Sequence, residues 1–152
     1  MVETTPITIR EMDRGHVPQV LEIERASYPA PWSESAFINE MTSGASVAIV
    51  ALDGESVAGF AVGWTVADQV HIANIAVAAC HRRRGVGTGM MVWLLEEAVR
   101  RGCVSSSLEV RESNQAARSM YRQLGYRSVA VRKTYYSNPR EDAIVMVKDL
   151  EE

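Results

Sequence analysis

The sequence lacks the features that mark several large classes of protein. Its 152 residues contain no apolar run near the roughly 18 residues that a membrane-spanning helix needs. Residues 1–6 show no basic segment followed by an apolar one, so we expect neither a secretory signal nor a transit peptide, and a cytoplasmic protein. No low-complexity segment and no internal repeat is visible. We therefore expect one soluble domain, residues 1–152, with no contact to a membrane.

Cysteine and histidine are scarce, and their placement argues against a disulfide framework or a metal site. Cys80 and Cys103 are the two cysteines, and they form no Cys-x-x-Cys pair. The three histidines, His16, His71 and His81, share no ligand spacing. We expect two reduced thiols and no bound metal.

An excess of basic charge is also missing, since the formal net charge is -3. The two halves differ, with -7 over residues 1–76 and +4 over residues 77–152. An acidic chain is not expected to bind nucleic acid along its length, whereas the basic half could still contact a phosphorylated ligand.

What the sequence does contain is an alternation of strand-like and helix-like patterns in the order β-α-α-β-β-β-α-β-α-β-β. The patterns predict strands at 7–10, 46–52, 56–64, 69–77, 105–110, 126–135 and 142–148, and helices at 16–28, 33–41, 86–101 and 114–124. Asp53-Gly54 predicts a hairpin turn, and the strand, long helix and strand from 69 to 110 predict a right-handed parallel crossover. The fold class is therefore α/β (α+β), with a mixed, mostly antiparallel sheet of about seven strands and helices on both faces.

The segment Arg82-Arg83-Arg84-Gly85-Val86-Gly87-Thr88-Gly89 lies between a strand end and a helix start. Its glycines permit a tight turn, the helix start presents free N–H groups, and the arginines add positive charge, so together they predict an anion site. The segment is not a Walker loop, because no Gly-Lys-Ser/Thr follows, and its glycine spacing does not fit a Rossmann loop. The alternative is a solvated surface loop whose glycines only connect elements.

The spacing Arg82-x-x-Gly85-x-Gly87, together with the order of elements, resembles the GNAT superfamily of N-acetyltransferases. The resemblance implies the fold of that superfamily and acetyl-CoA as co-substrate. It implies that a set of consecutive residues contacts the pyrophosphate, namely Arg82, Arg83, Arg84, Gly85, Val86, Gly87 and Thr88. It also implies that Ile75, Ala76 and Val77 pair in strand fashion with the pantetheine arm.

Glu109 is the candidate general base, because acyl transfer to an amine requires an amine without its proton. It lies between Leu108 and Val110 in a predicted strand, so a lone carboxylate would sit inside a sheet that helices cover. The group would act directly or through a water molecule. The alternative is a carboxylate that points to solvent from the other face of the strand.

The candidate general acid rests on resemblance. The stretch from Asn114 to Tyr126 is similar to the superfamily's Asn-x-x-Ala-x-x-x-Tyr-x-x-x-Gly-aromatic segment, which assigns Tyr121 as the acid and Asn114 as a cofactor contact. Periodicity alone favours a buried core tyrosine at this position. We assign the Val77 backbone N–H as the donor to the oxyanion.

Cys80 is a competing nucleophile, because it precedes His81 and three arginines, a setting that could support a covalent acetyl-enzyme. Members of the superfamily generally transfer the acetyl group directly. The sequence pattern also supplies no His and carboxylate order around Cys80.

Most of the chain resembles, more narrowly, the bacterial ribosomal-protein-alanine acetyltransferases. The signatures are Pro31-Trp32-Ser33-Glu34, Asn74-Ile75-Ala76-Val77, Leu108-Glu109-Val110-Arg111, and Arg132-Lys133-Thr134-Tyr135-Tyr136 with the later segment 140–146. The resemblance implies that Trp32, Tyr135 and Tyr136 border a slot for a peptide N-terminus, and that the acceptor is the N-terminal alanine of small-subunit ribosomal protein eighteen. The chain departs from the family at Ala78-Ala79-Cys80-His81, where an acidic, Pro-containing turn is usual.

These aromatic residues also have structural interpretations, since Trp32 could be core and the two tyrosines could alternate on a strand, one packed and one exposed. An α-amine suits the chemistry, because its pKa of about 8 leaves roughly 10% neutral at pH 7. Two other functions stay open, namely acetylation of a small-molecule amine and a non-catalytic CoA-binding module. The oligomeric state stays open as well.

Overall fold

A computed structural model describes residues 6–150 of the protein. The elements are β1 (Ile7–Glu11), α1 (Val17–Ser27), α2 (Glu34–Thr42), β2 (Ser46–Asp53), β3 (Ser56–Val66), β4 (Gln69–Val77), α3 (Val86–Arg100), β5 (Ser105–Arg111), α4 (Gln115–Gln123), β6 (Arg127–Ser137) and β7 (Arg140–Asp149). Short 3-10 turns at Arg14–His16 and Ala79–His81 precede α1 and follow β4. The predicted order of elements is confirmed.

The seven strands form one sheet in the order β1-β2-β3-β4-β5-β7-β6. All neighbours are antiparallel except β4 and β5, which are parallel as the crossover predicts. That parallel pairing covers three residues of each strand, Gln69–His71 and Ser105–Ser107. Beyond His71 the two strands separate, and a gap opens in the middle of the sheet.

The sheet is covered on both faces, which explains why its central strands read as apolar runs. On one face α3 contributes Met90, Met91 and Leu94, all fully buried against the sheet. On the other face α1 and α2 contribute Val20 and Phe37. Each such side chain stabilises the fold by about 1.5–3 kcal/mol relative to exposure.

Local sequence signals set most of the element ends. Ser33 caps α2, because its hydroxyl oxygen accepts from the N–H of Ala36 at 3.2 Å. Gly54, in the β2–β3 turn, has φ of 64°, and Gly102, after α3, has φ of 91°. The last two strands run longer than predicted, to Ser137 and from Arg140 to Asp149, because pairing with each other overrides the polar composition of their turn. Within residues 6–150, no helix has the length and apolarity needed to cross a bilayer.

Candidate functional site

A cleft of about 470 Å³ opens where β4 and β5 separate. Nine residues that the sequence singled out line it: Trp32, Ile75, Val77, Gly87, Glu109, Asn114, Tyr121, Tyr135 and Tyr136. The other singled-out residues lie outside the lining: Ala76, Arg82, Arg83, Arg84, Gly85, Val86 and Thr88. The side chains of Ala76 and Val86 are buried in the two cores, so any contact they make to a ligand would come from the backbone.

The loop before α3 has the backbone shape of an anion cradle. Arg83 has φ of 64° and Gly85 has φ of 75°, so the chain twice enters the left-handed region within three residues. Within residues 6–150, the backbone N–H groups from Arg83 to Thr88 donate to no protein acceptor. Free N–H groups at a helix start favour an anion, and this arrangement favours the phosphate interpretation over a loop that only connects.

Gly87 is the point where this loop meets the cleft. It lies in the first turn of α3 and also lines the cleft. A Cβ atom here would lie 3.2 Å from Met120 Sδ and 3.7 Å from Val77 Cγ2. The absence of a side chain lets Met120 and Val77 pack close to the backbone of the loop.

Glu109 faces the cleft from β5, on the side of the strand opposite the buried Leu108 and Val110. Its side chain is 11% exposed, so it does not point freely into solvent. Oε1 lies 3.3 Å from His71 Nε2 and accepts from the Tyr135 hydroxyl at 3.3 Å. This position can take a proton from a group inside the cleft.

Tyr121 is both a buried core residue and part of the cleft wall. It is buried on α4, with its ring 5.7 Å from that of Tyr126, and it lines the cleft. Burial raises the pKa of Tyr121, and the neighbouring Tyr28, Tyr126 and Tyr136 raise it further. The phenol therefore keeps its proton at neutral pH and is available as a donor.

Tyr135 and Tyr136 both line the cleft, although neighbouring residues of a regular strand point to opposite faces. An irregularity in β6 removes the conflict, because the three residues between Arg132 and Tyr136 oppose the single residue Asp142 of β7. Thr134 lies in this bulge with φ of 52°, and its N–H donates to Asp142 Oδ1 at 2.7 Å.

Tyr136 lies beneath the guanidinium of Arg111, to which the sequence signature assigned no role. The Arg111 guanidinium carbon is 4.2 Å from the centre of the Tyr136 ring. Arg111 is held in turn by Glu141, 3.3 Å away, and by the backbone oxygens of Asn138 and Pro139. Burial and the adjacent Tyr135 raise the pKa of Tyr136 to about 12.

Trp32 likewise packs against core residues and borders the cleft. Its ring stacks on Trp64 at 6.3 Å and lies 5.2 Å from Phe37, and it borders the cleft. The backbone N–H of Trp32 donates to Glu24 Oε2 at 2.9 Å, which holds the loop between α1 and α2 against the core.

Glu24 and Tyr28, both on the cleft wall, were not singled out from the sequence. Glu24 is 1% exposed, and its position in α1 continues the spacing of Val17, Val20 and Leu21, so a charged residue on an apolar stripe was the available signal. The Tyr28 hydroxyl donates to the Ile75 carbonyl, so this carbonyl of β4 faces the gap rather than β3.

The surroundings of Cys80 differ from the sequence-based prediction. A His and carboxylate order does surround it: His81 Nδ1 lies 3.2 Å from Cys80 Sγ, and His81 Nε2 lies 3.0 Å from Asp53 Oδ2. Asp53 is 28 residues from His81, so no local pattern could show the contact. None of the three residues lines the cleft, which separates this thiol from Glu109 and Tyr121.

Residues 17–126 match the family described as Acetyltransferase (GNAT) family. The chain belongs to this family of acetyltransferases. It is 33% identical over 141 residues to the [Ribosomal protein bS18]-alanine N-acetyltransferase of Escherichia coli K12, covering 91% of this chain and 95% of that protein. The enzyme of that name from Salmonella typhimurium is 35% identical over 142 residues, covering 91% of this chain and 95% of that protein.

The fold agrees with a solved member of this family. The crystal structure of the ribosomal-protein-S18-alanine N-acetyltransferase from Escherichia coli superposes with a TM-score of 0.88 at 31% identity. The match covers 97% of this chain and 96% of that one. The family identified from Arg82 to Gly87 and the predicted GNAT fold are therefore confirmed, and the protein is an N-acetyltransferase.

Within residues 6–150, no group of three His, Cys, Asp or Glu side chains is arranged to hold a metal ion. The three histidines occupy separate places, at the start of α1, beside Glu109 and beside Asp53.

Proposed function

We propose that the protein transfers an acetyl group from acetyl-CoA to the N-terminal α-amine of a protein, with the alanine of ribosomal protein bS18 as acceptor. One observation carries the proposal: Glu109 and Tyr121 line a single cleft that Gly87 joins to the loop of free N–H groups. The relatives named above carry the same acceptor in their names.

Acetyl-CoA fits the residues present. The N–H groups from Arg83 to Thr88 would hold the pyrophosphate, with the side chains of Arg82 and Arg84 adding positive charge. Ile75, Ala76 and Val77 would present the free edge of β4 to the pantetheine arm, and Asn114 would contact it from the start of α4. The bound molecule would supply an acetyl group activated as a thioester.

Glu109 would act as the base. At neutral pH an α-amine is about 10% neutral, so its remaining proton must go to an acceptor before attack. Glu109 faces the cleft and is largely shielded from solvent, which suits an acceptor of that proton, either directly or through a water molecule. Val77, on the opposite edge of the gap, would direct its N–H at the carbonyl oxygen as negative charge develops.

Tyr121 would act as the acid. A departing thiolate needs a proton, and Tyr121 holds one because burial raises its pKa. The two proposed groups come from different elements, β5 and α4, so one can serve the amine while the other serves the sulfur.

The acceptor would enter between the aromatic residues. Trp32 borders the cleft from the loop before α2, and Tyr135 and Tyr136 border it from β6. Tyr135 also contacts Glu109, so the aromatic border reaches the proposed base. A chain end fits such a slot because it places a single amine next to the carboxylate.

A panel of acceptors tests the proposal by mass spectrometry. The panel contains a peptide with the N-terminal sequence of bS18 from the same genome, the same peptide with a blocked N-terminus, and the free peptide with blocked lysines. We expect acetylation of the first and third peptides and none of the second.

Small amines such as a polyamine and an aminoglycoside complete the panel. If these small amines are acetylated and the peptide is not, the acceptor is a small molecule rather than a protein N-terminus. If the protein binds acetyl-CoA but acetylates no acceptor, it acts as a CoA-binding module and not as an enzyme. Acetylation that is lost only when the lysines are blocked would overturn the α-amine as acceptor.

A further inference from the structure

His71 lies beside Glu109 at the point where β4 and β5 separate. It is the last residue of β4 that pairs with β5. Its Nδ1 is 3.2 Å from Ser107 Oγ, and its Nε2 is 3.3 Å from Glu109 Oε1. His71 is outside the cleft lining and Glu109 is inside it, so the imidazole contacts the carboxylate from behind.

The two contacts on Glu109 fall on one of its two oxygens. Oε1 is 3.3 Å from His71 Nε2 and accepts from the Tyr135 hydroxyl, whereas Oε2 has no hydrogen-bond partner among residues 6–150. The Tyr135 hydroxyl and the His71 imidazole, each 3.3 Å from Oε1, restrict the orientation of the carboxylate plane. They leave Oε2 with its full capacity to accept a proton.

The imidazole is itself held on two sides. Trp64, on β3, stacks its ring against the imidazole with the ring centres 5.9 Å apart, and Ser107, on β5, contacts Nδ1. A serine hydroxyl that donates to Nδ1 leaves the ring proton on Nε2, where it faces Glu109. Trp64 is fixed by its own N–H, which donates to Glu40 Oε2 at 2.7 Å, and by the stack on Trp32.

We propose that His71 is the positioning residue of the base: the chain from Ser107 through His71 to Glu109 Oε1 orients the carboxylate so that Oε2 takes the proton of the acceptor amine. This rests on the proposed function, in which Glu109 is the base. In the step, the N–H bond of the ammonium breaks, an O–H bond forms at Oε2, and the nitrogen keeps the electron pair for attack. His71 gains and loses no proton.

Two substitutions distinguish the role of the His71 N–H group from the role of its flat ring. His71→Phe keeps a flat ring against Trp64 and removes the donor, whereas His71→Gln keeps an N–H group that can reach Glu109. We expect His71→Phe to lower kcat by about tenfold with KM for both substrates within about twofold, and His71→Gln to recover most of the loss. His16→Phe removes a histidine that lies outside the cleft and serves as the control.

A double substitution shows whether His71 acts through Glu109. In the Glu109→Gln background, His71→Phe should cause no further loss of kcat, because the carboxylate that it orients is gone. A purely structural role would instead multiply the two losses. Equal losses in both backgrounds, or an unchanged kcat in His71→Phe, would overturn the proposal.

A crystallographic readout does not depend on the acceptor. In crystals of the whole protein, the Glu109 carboxylate should keep its orientation in wild type and His71→Gln and should turn in His71→Phe. An unmoved carboxylate in His71→Phe overturns the positioning role even if peptides are acetylated. A wild type that acetylates no peptide overturns the proposed function, while a turned carboxylate in His71→Phe still supports the positioning role.

Discussion

Asn74 donates to Glu24 at 2.8 Å inside the protein, joining β4 to α1 across the core. The other oxygen of Glu24 accepts from the backbone N–H of Trp32, so one buried carboxylate connects the strand beside the cleft, the helix above it and the aromatic loop at its border. The pKa of Glu24 is raised by burial, an effect that the hydrogen bonds from Trp32 and Asn74 partly offset.

Glu24→Ala should lower the free energy of unfolding by about 3 kcal/mol, because it removes the acceptor of the buried Asn74 amide and of the half-buried Trp32 backbone N–H. Glu24→Gln should lower the free energy of unfolding by about 1 kcal/mol, since the side-chain amide of Asn74 can rotate so that its oxygen accepts from the new amide. The exposed Glu22→Ala, on the same helix, is the control and should stay within about 0.5 kcal/mol. Urea denaturation measures all three.

The pH dependence of this stability has a definite sign. A raised pKa means that folded Glu24 keeps its proton to higher pH than the unfolded chain does, so its contribution to the free energy of unfolding falls as pH rises from about 4.5. Glu24→Gln removes this fall. Equal slopes of stability against pH between pH 4 and 7 for wild type and Glu24→Gln would contradict the shift.

Glu109→Gln should lower kcat by about 10²–10⁴-fold, the usual contribution of a general base, and leave the affinity for acetyl-CoA within about twofold. Glu112→Gln is the matched control, because this exposed carboxylate follows β5 directly and lies outside the cleft. Steady-state kinetics and calorimetric binding measure the two effects. If Glu109→Gln kept the wild-type kcat across the pH range, Glu109 would not be the general base.

Tyr121→Phe should lower kcat by about 10²-fold with little change in KM, since the ring stays in place and the proton donor is lost. Because burial raises its pKa, Tyr121 should cause no loss of wild-type activity up to about pH 9. Tyr126→Phe is the control: its hydroxyl bonds Ser106 at 2.6 Å outside the cleft, so its loss should cost about 1 kcal/mol of stability and leave kcat intact. Equal kcat for Tyr121→Phe and wild type would argue against an acid role.

Gly87→Ala should raise KM for acetyl-CoA by about tenfold, because the new methyl group stands where the loop meets the cleft, 3.2 Å from Met120 Sδ. Gly89→Ala is the matched control in the same helix, where the added Cβ meets Ile9 Cδ1 at an ordinary 3.5 Å. That control should gain about 0.5–1 kcal/mol of stability from helix propensity with KM unchanged. Similar KM values for the two variants would show that Gly87 does not border the cofactor.

Local signals explain why much of the fold was predictable. The Asp53-Gly54 turn, the Ser33 cap and the glycine after α3 each act within a few residues, and the structure has all three. The loop from Arg82 to Gly87 is also local, since its glycines and the helix start are contiguous. The family followed from that segment.

The arrangement of the site was less predictable, because it depends on strand register and on irregularities. Tyr135 and Tyr136 reach one cleft through a bulge, and no alternation rule places two neighbouring strand residues together. Asp53 reaches His81 through the packing of the β2 end against the turn after β4, and the sequence analysis missed it.

The sequence by itself determined the order of elements, the anion loop and the family, because each depends on residues that are neighbours in the chain. Tertiary structure decided which atoms meet: Asn74 with Glu24, 50 residues away, and His71 with Glu109 across two strands. The physical reason is that the short parallel pairing of β4 and β5 and its end at His71 arise from packing of the whole sheet. That single end point opens the cleft and places Glu109 beside His71.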